Sequence, residues 1–129
     1  MTDSVSYEDG RIQITCNGST VHIAPIEILM VDDCQMADEI FHGDEAFYLV
    51  HLSDQFWLIG PFVQGAPWAV DALLAEHPEL KRRRVTLERL PWRMRSSGVF
   101  GLRLWPVARL GCFPNSDLPS LRLREVNHG

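Results

Sequence analysis

Phe47-Tyr48-Leu49-Val50-His51-Leu52, then Ser53-Asp54-Gln55, then Phe56-Trp57-Leu58-Ile59 hold the longest apolar runs of the chain. Two such runs around a short polar break predict a β-hairpin. With Asp54-Gln55 as the turn, Leu52 faces Trp57 and Val50 faces Ile59, while Phe47, Leu49, His51, Phe56 and Leu58 share the other face. Both faces are then apolar, which places these strands in the middle of a sheet covered on each side. Gly60-Pro61 closes the second run. Pro67 suits the first helical position, because the N–H it lacks would be unpaired there. Pro78 disfavours helical geometry at His77. The spacing predicts a helix over 67–77 with Val70, Leu73, Leu74 and His77 on one stripe and Asp71, Ala75 and Glu76 on other faces. So short a helix must take its stability from packing on the sheet. Trp68, at its start, is expected to anchor it in the core.

Toward the N-terminus, Arg11-Ile12-Gln13-Ile14-Thr15-Cys16 and Ser19-Thr20-Val21-His22-Ile23 alternate on either side of Asn17-Gly18. Asn-Gly tolerates the positive φ angles of a type I′ turn, whose twist matches the flanking strands. Ile14 then faces Val21 and Ile12 faces Ile23, with Gln13, Thr15, Thr20 and His22 on a polar face. Residues 1–10 are polar and expected to fray. After Pro25, residues 26–31 read as a third strand, ended by Asp32-Asp33-Cys34, and an acidic loop with a helical turn near Met36–Phe41 follows.

That loop contains Asp38, Glu39, His42, Asp44 and Glu45, oxygen-rich donors of the kind a hard cation prefers. Aligning a calcium-loop pattern from Asp32 puts Cys34 and Met36 where oxygens are required, so the pattern fails. Cys34 and His42 with Asp33 fall short of a tetrahedral zinc set. No metal is expected, and the loop reads as solvated.

In the second half, Val85–Leu90 alternates as a strand ended by Pro91-Trp92, and Arg93–Gly98 reads as a turn. Val99–Trp105 reads as a strand, Ala108–Pro119 as irregular chain, and Leu121–Val126 as a last strand. The expected architecture is a single α+β domain over residues 1–129. It is a mostly antiparallel sheet of about seven or eight strands packed by one main helix, with a half-barrel as one possible closure.

The composition, 46% hydrophobic and 22% charged over 129 residues, is that of one ordinary globular domain. No run approaches the ~18 apolar residues of a membrane span, and Met1-Thr2-Asp3-Ser4 lacks a secretory pattern. Cys16, Cys34 and Cys112 are odd in number and unpaired in spacing, which suits reduced thiols in a cytoplasmic protein. The net charge of −5 hides a split: residues 1–80 carry 14 carboxylates against Arg11 alone, and residues 81–129 carry 11 bases against three acids. Mutual neutralisation of the two halves is the first explanation, and a polyanion site is the second.

Gly-rich phosphate loops, nucleophile elbows and His-Glu-x-x-His pairs are absent from the sequence. Arg82, Arg83, Arg84, Arg89, Arg93, Arg95 and Arg103 lie near Trp92 and Trp105, and arginine interleaved with aromatics can grip phosphates while stacking bases. A sequence pI of 5.4 opposes non-specific attraction to nucleic acid. His51, inside an apolar strand, reads as a core histidine satisfied by one hydrogen bond. The expected function is therefore a non-enzymatic interaction or ligand-binding domain without cofactor. It is expected to self-associate or bind a protein partner, with Trp57 and Trp68 as interface candidates. Binding of nucleic acid or another polyanion through the Arg/Trp set is the second reading. A small-molecule enzyme using His51 or His77 as base in a sheet–helix pocket is the third.

Overall fold

A computed structural model describes residues 3–36, 47–96 and 107–126. In chain order its elements are β1 (Ser4–Glu8), β2 (Arg11–Cys16), β3 (Ser19–Ile23), β4 (Met30–Met36), β5 (Phe47–His51), β6 (Gln55–Ile59), α1 (Ala66–Glu76), β7 (Arg82–Leu87), β8 (Gly111–Pro114) and β9 (Arg124–Glu125). The fold is α+β, and its strands divide between two sheets. One has the order β1-β2-β3, and the other β8-β6-β5-β4-β7-β9.

The β2–β3 hairpin has the register its sequence dictates, with Ile14 opposite Val21 and Ile12 opposite Ile23. Asn17 and Gly18 sit at φ 52° and 81°, as the type I′ turn requires. Residues 1–10 do not fray. Ser4–Glu8 pairs with β2 along its whole length through a second turn of the same chemistry, Asp9-Gly10, at φ 52° and 73°. Val5 is buried, and its N–H donates to Gln64 O at 2.9 Å, tying β1 to the loop before α1.

The organising hairpin keeps its predicted faces but shifts its register. Val50 lies opposite Trp57 and Leu49 opposite Leu58, so the turn is Ser53-Asp54 rather than Asp54-Gln55. A slip of two residues leaves every side chain on its own face, whereas a slip of one would have exchanged them. Asn115 holds the turn, its Nδ2 donating to Ser53 O at 3.2 Å and its N–H to Asp54 O at 3.2 Å.

Three further expectations are corrected. Pro25–Glu27 forms a 3₁₀ turn rather than strand, and β4 begins at Met30 and runs through Asp32 and Asp33. It continues because parallel strand β7 sets an arginine beside each aspartate, Arg83 beside Asp32 and Arg84 beside Asp33. The Lys81–Arg84 run is thus largely strand. Residues 108–119 are not irregular throughout: β8 pairs with β6, and a 3₁₀ helix covers Asn115–Leu121. That helix takes Leu121 out of the last strand, leaving only Arg124–Glu125 paired with β7. The expected strand Val99–Trp105 and the acidic segment 37–46 lie outside the described residues.

The six-stranded sheet is buried on both faces, as its apolar runs require. On the first face Val31, Val50, Trp57 and Ile59 pack with Val5, Ile12, Ile14 and Ile23 of the small sheet and with Ala66, Ala69, Val70 and Leu73 of α1. On the second, Phe47, Leu49, Phe56, Leu58, Val85 and Leu87 are covered by Leu90, Met94, Ala108, Phe113 and Leu121 from the C-terminal segments. Among the described residues no helix is long and apolar enough to cross a membrane.

Candidate functional site

Alternation along β4 sends Asp32 to the second face of the large sheet and Asp33 to the first. Asp32 is fully buried. Arg83 grips it in bidentate fashion, Nε donating to Oδ1 at 2.8 Å and Nη2 to Oδ2 at 2.9 Å. His51 Nε2 lies 2.6 Å from Oδ2. Burial pushes the carboxyl pKa up, but the hydrogen bonds from Arg83 and His51 outweigh it and hold Asp32 below the ordinary carboxylate range. An ionised carboxylate only accepts, so His51 Nε2 is the donor. Three strands (β5, β4 and β7) are stitched by this one side chain. The arrangement matches the buried, bonded histidine expected from sequence, and it brings one arginine of the basic half onto a carboxylate of the acidic half. Cys34, on the same face, has its thiol pushed well up by burial and then by the charges of Asp32 and Asp33, which makes it a poor nucleophile.

On the first face Asp33 lies in one row with Tyr48 of β5 and Arg84 of β7. With Asp71 and Leu74 of α1 these residues line a cavity of about 300 Å³. Asp33 Oδ1 is buried without a hydrogen-bond partner. Burial raises its pKa, Arg84 opposes the rise, and Asp71 adds to it. With a folded pKa above the unfolded value, the pH-dependent part of the stability is fully present below the unfolded pKa and is lost as pH rises through the folded pKa. Asp33→Asn is therefore expected to be slightly more stable than wild type near neutrality, the effect being kept small by solvent and by the favourable Arg84 charge. The gain should vanish in acid, as read from urea midpoints across the pH range.

The arginines do not form one patch. Arg82 and Arg84 lie at the start of β7, and Arg82 Nη2 donates to Leu74 O at 3.1 Å. Arg93 pairs with Asp117 at 2.9 Å. Arg103 and Trp105 lie outside the described residues. Arg89, Trp92 and Arg95 do come together around the 3₁₀ turn Trp92–Met94. Arg89 and Trp92, with Arg122 facing them from beyond the Asn115–Leu121 helix, line a groove of about 590 Å³. The Arg95 guanidinium sits 5.2 Å over the Trp92 ring, and its Nε donates to Leu90 O at 2.9 Å. Burial, and then the nearby Arg89 charge, lowers the Arg95 pKa. Sequence reasoning missed Arg122. It read as one more wet residue of a strand, and only the 3₁₀ helix brings it to the groove, at φ 49°.

The interface candidates separate. Trp57 is 6% exposed and sits in the first core, so it offers no surface to a partner. Trp68 is 78% exposed rather than a core anchor. The phase of α1 explains it: Ala66, Ala69, Val70 and Leu73 take the buried side, which leaves position 68 outward. Phe62, in the loop before α1, is exposed as well. At the far side of the small sheet, Ser19 to His22 are all exposed, and Ile26 and Leu29 follow at 92% and 59%. His77 Nδ1 lies 3.1 Å from exposed Glu79. Among the described residues no three His, Cys, Asp or Glu side chains are placed to hold a metal ion. Neither a protein-family model, nor a curated protein, nor a solved structure matches the chain.

Proposed function

We propose that the chain is a non-enzymatic interaction domain that self-associates, and that a second copy attaches at the open edge of β3. The observation carrying this reading is the edge itself. Among the described residues β3 is the last strand of its sheet, and Ser19 to His22 stand in solvent. Across a two-residue turn Cys16 and Ser19 form the bonded pair, so Thr15–Thr20 and Gln13–His22 are non-bonded pairs. The 3.1 Å approach of the Thr15 and Thr20 hydroxyls fits the close spacing of such a pair. Thr20 and His22 therefore turn their backbone N–H and C=O groups away from β2, toward the open edge. Natural edges are blunted by lysine, proline or a bulge. Ser19-Thr20-Val21-His22-Ile23 contains no proline, lysine or carboxylate. Two copies can pair antiparallel about a two-fold axis without bringing like charges together, despite a chain charge of −5. Ile26 and Leu29, just beyond the strand, offer apolar side chains worth about 1.5–3 kcal/mol each if fully buried.

The test is light scattering with sedimentation over a concentration series. Wild type is expected to dimerise. Thr20→Lys with His22→Lys, which sets lysine near lysine across the two-fold, is expected to weaken the dimer by about tenfold or more while leaving the circular dichroism unchanged. A wild type that stays monomeric throughout, or a lysine variant that dimerises equally well, would overturn the reading.

A further inference from the structure

We infer that the groove between the Pro91–Arg95 turn and the Pro119–Arg122 turn binds a nucleoside phosphate, with Trp92 stacking the base and Arg89 and Arg122 holding the phosphate. Leu90 and Met94, on either side of Trp92, are fully buried, so the turn is anchored from beneath while it holds an indole 54% in solvent. Arg95 covers one side of that ring and is itself bonded to Leu90 O, which fixes the indole's orientation before any ligand arrives. Trp92 is among the residues that line the groove. A flat base gains from stacking there whatever its identity, because every base has a π-face.

The charges point the same way. Among the described residues neither Arg89 nor Arg122 has a carboxylate within ion-pair distance. Glu88, the acid lining the groove, is taken by Arg124 at 2.6 Å. Two guanidinium groups without an ion-pair partner among the described residues thus line one groove, and the guanidinium fork suits bidentate contact with a phosphate. The volume, about 590 Å³, falls within the range of small-molecule sites. The chain as a whole is acidic, so attraction must come from these local groups rather than from the field of the molecule. Two phosphate contacts on a single strand predict a shallow salt dependence, a slope of about −1.4 in log affinity against log salt.

The probes are ATP, a labelled single-stranded oligonucleotide and inorganic phosphate, titrated calorimetrically or by anisotropy at low salt. ATP and the oligonucleotide are expected to bind, and inorganic phosphate to bind more weakly because it has no base. Equal affinity for the two nucleotide probes would identify a mononucleotide site, and tighter oligonucleotide binding would identify a strand site. Trp92→Leu should lose about five- to hundredfold in affinity, with Trp92→Phe keeping most of it. Arg89→Gln with Arg122→Gln should lose at least about tenfold, while Arg82→Gln with Arg84→Gln, at the other end of β7, should lose nothing. All these positions except Trp92 are charged side chains exposed to water, and circular dichroism confirms folding in each variant. Absence of nucleotide binding at low salt would overturn the proposal. So would inorganic phosphate binding as tightly as ATP, or equal losses at Arg82 and Arg84.

Discussion

Replacing Asp32 with alanine is expected to destabilise the fold by about 3–5 kcal/mol, the cost of breaking a buried ion pair by removing one partner. The magnitude follows from what is left behind. Arg83 would keep a partly buried guanidinium whose two donors have lost their acceptors, and His51 would keep a buried ring nitrogen aimed at nothing. Asp32→Asn keeps the volume but only one acceptor oxygen and no charge, so it should fall between wild type and alanine. The pH dependence has a definite sign. Because the folded-state pKa is depressed, the stabilisation is complete above the unfolded carboxylate value of about 3.9 and is lost as pH falls through the folded value. Wild type and Asp32→Ala should therefore converge in acid and stand furthest apart near neutrality. Urea midpoints between acid and neutral pH measure this directly, and a gap that stayed constant would mean the carboxylate is not the group responsible. Replacing Asp32, His51 and Arg83 together with apolar residues should cost less than Asp32→Ala alone, since no orphaned charge remains.

Much of the fold was legible because its causes are local. Asn17-Gly18 sets a register by turn chemistry alone, and the alternating isoleucines around it agree. Asp9-Gly10 carries the same chemistry, with Val5 and Tyr7 alternating beside it, but the polar, terminal character of the segment masks the signal. Where the cause lies far along the chain, the sequence misleads. The Ser53-Asp54 turn is fixed by Asn115, and Asp32-Asp33 stays in strand because Arg83 and Arg84 come alongside. Trp57 and Trp68 both sit among apolar neighbours in sequence, and only the phase of α1 and the burial of β6 distinguish them. The basic run at 81–84 reads as a single patch on paper. As a strand, it alternates, so Arg83 enters the buried carboxylate cluster while Arg82 and Arg84 turn to the other face. The groove at Trp92 was half legible, through Arg89, Trp92 and Arg95. Its other wall depends on a 3₁₀ helix that runs through Pro119, whose effect on Arg122 no local pattern announces.

Gly65→Ala is the substitution expected to uncouple the small sheet from α1, at a cost of about 3 kcal/mol. Gly65 caps the N-terminus of α1 in the left-handed region, at φ 79°. A Cβ there would stand 2.3 Å from the carbonyl oxygen of Val5, a backbone atom that cannot turn aside. Next to it, Val5 N–H is bonded to Gln64 O, so β1 and the loop meet backbone to backbone at that point. Relieving the clash must move β1 away from the helix, and with it the packing of Val5 against Ala66 and Ala69 in the first core. Two other glycines separate the contributions. Gly10 and Gly18 also have positive φ, but an added Cβ meets nothing within 4 Å. Alanine at either should cost only the conformational strain, about 1 kcal/mol. Hydrogen exchange gives the sharper readout. In Gly65→Ala the Val5 amide and its β1 neighbours should lose protection before those of β5 and β6, whereas Gly18→Ala should leave β1 protected. If Gly65→Ala proved no more costly than Gly18→Ala, the close approach of β1 to the helix start would not be what holds the two layers together, and the apolar contacts of Val5, Ile12 and Ile14 would have to do so alone.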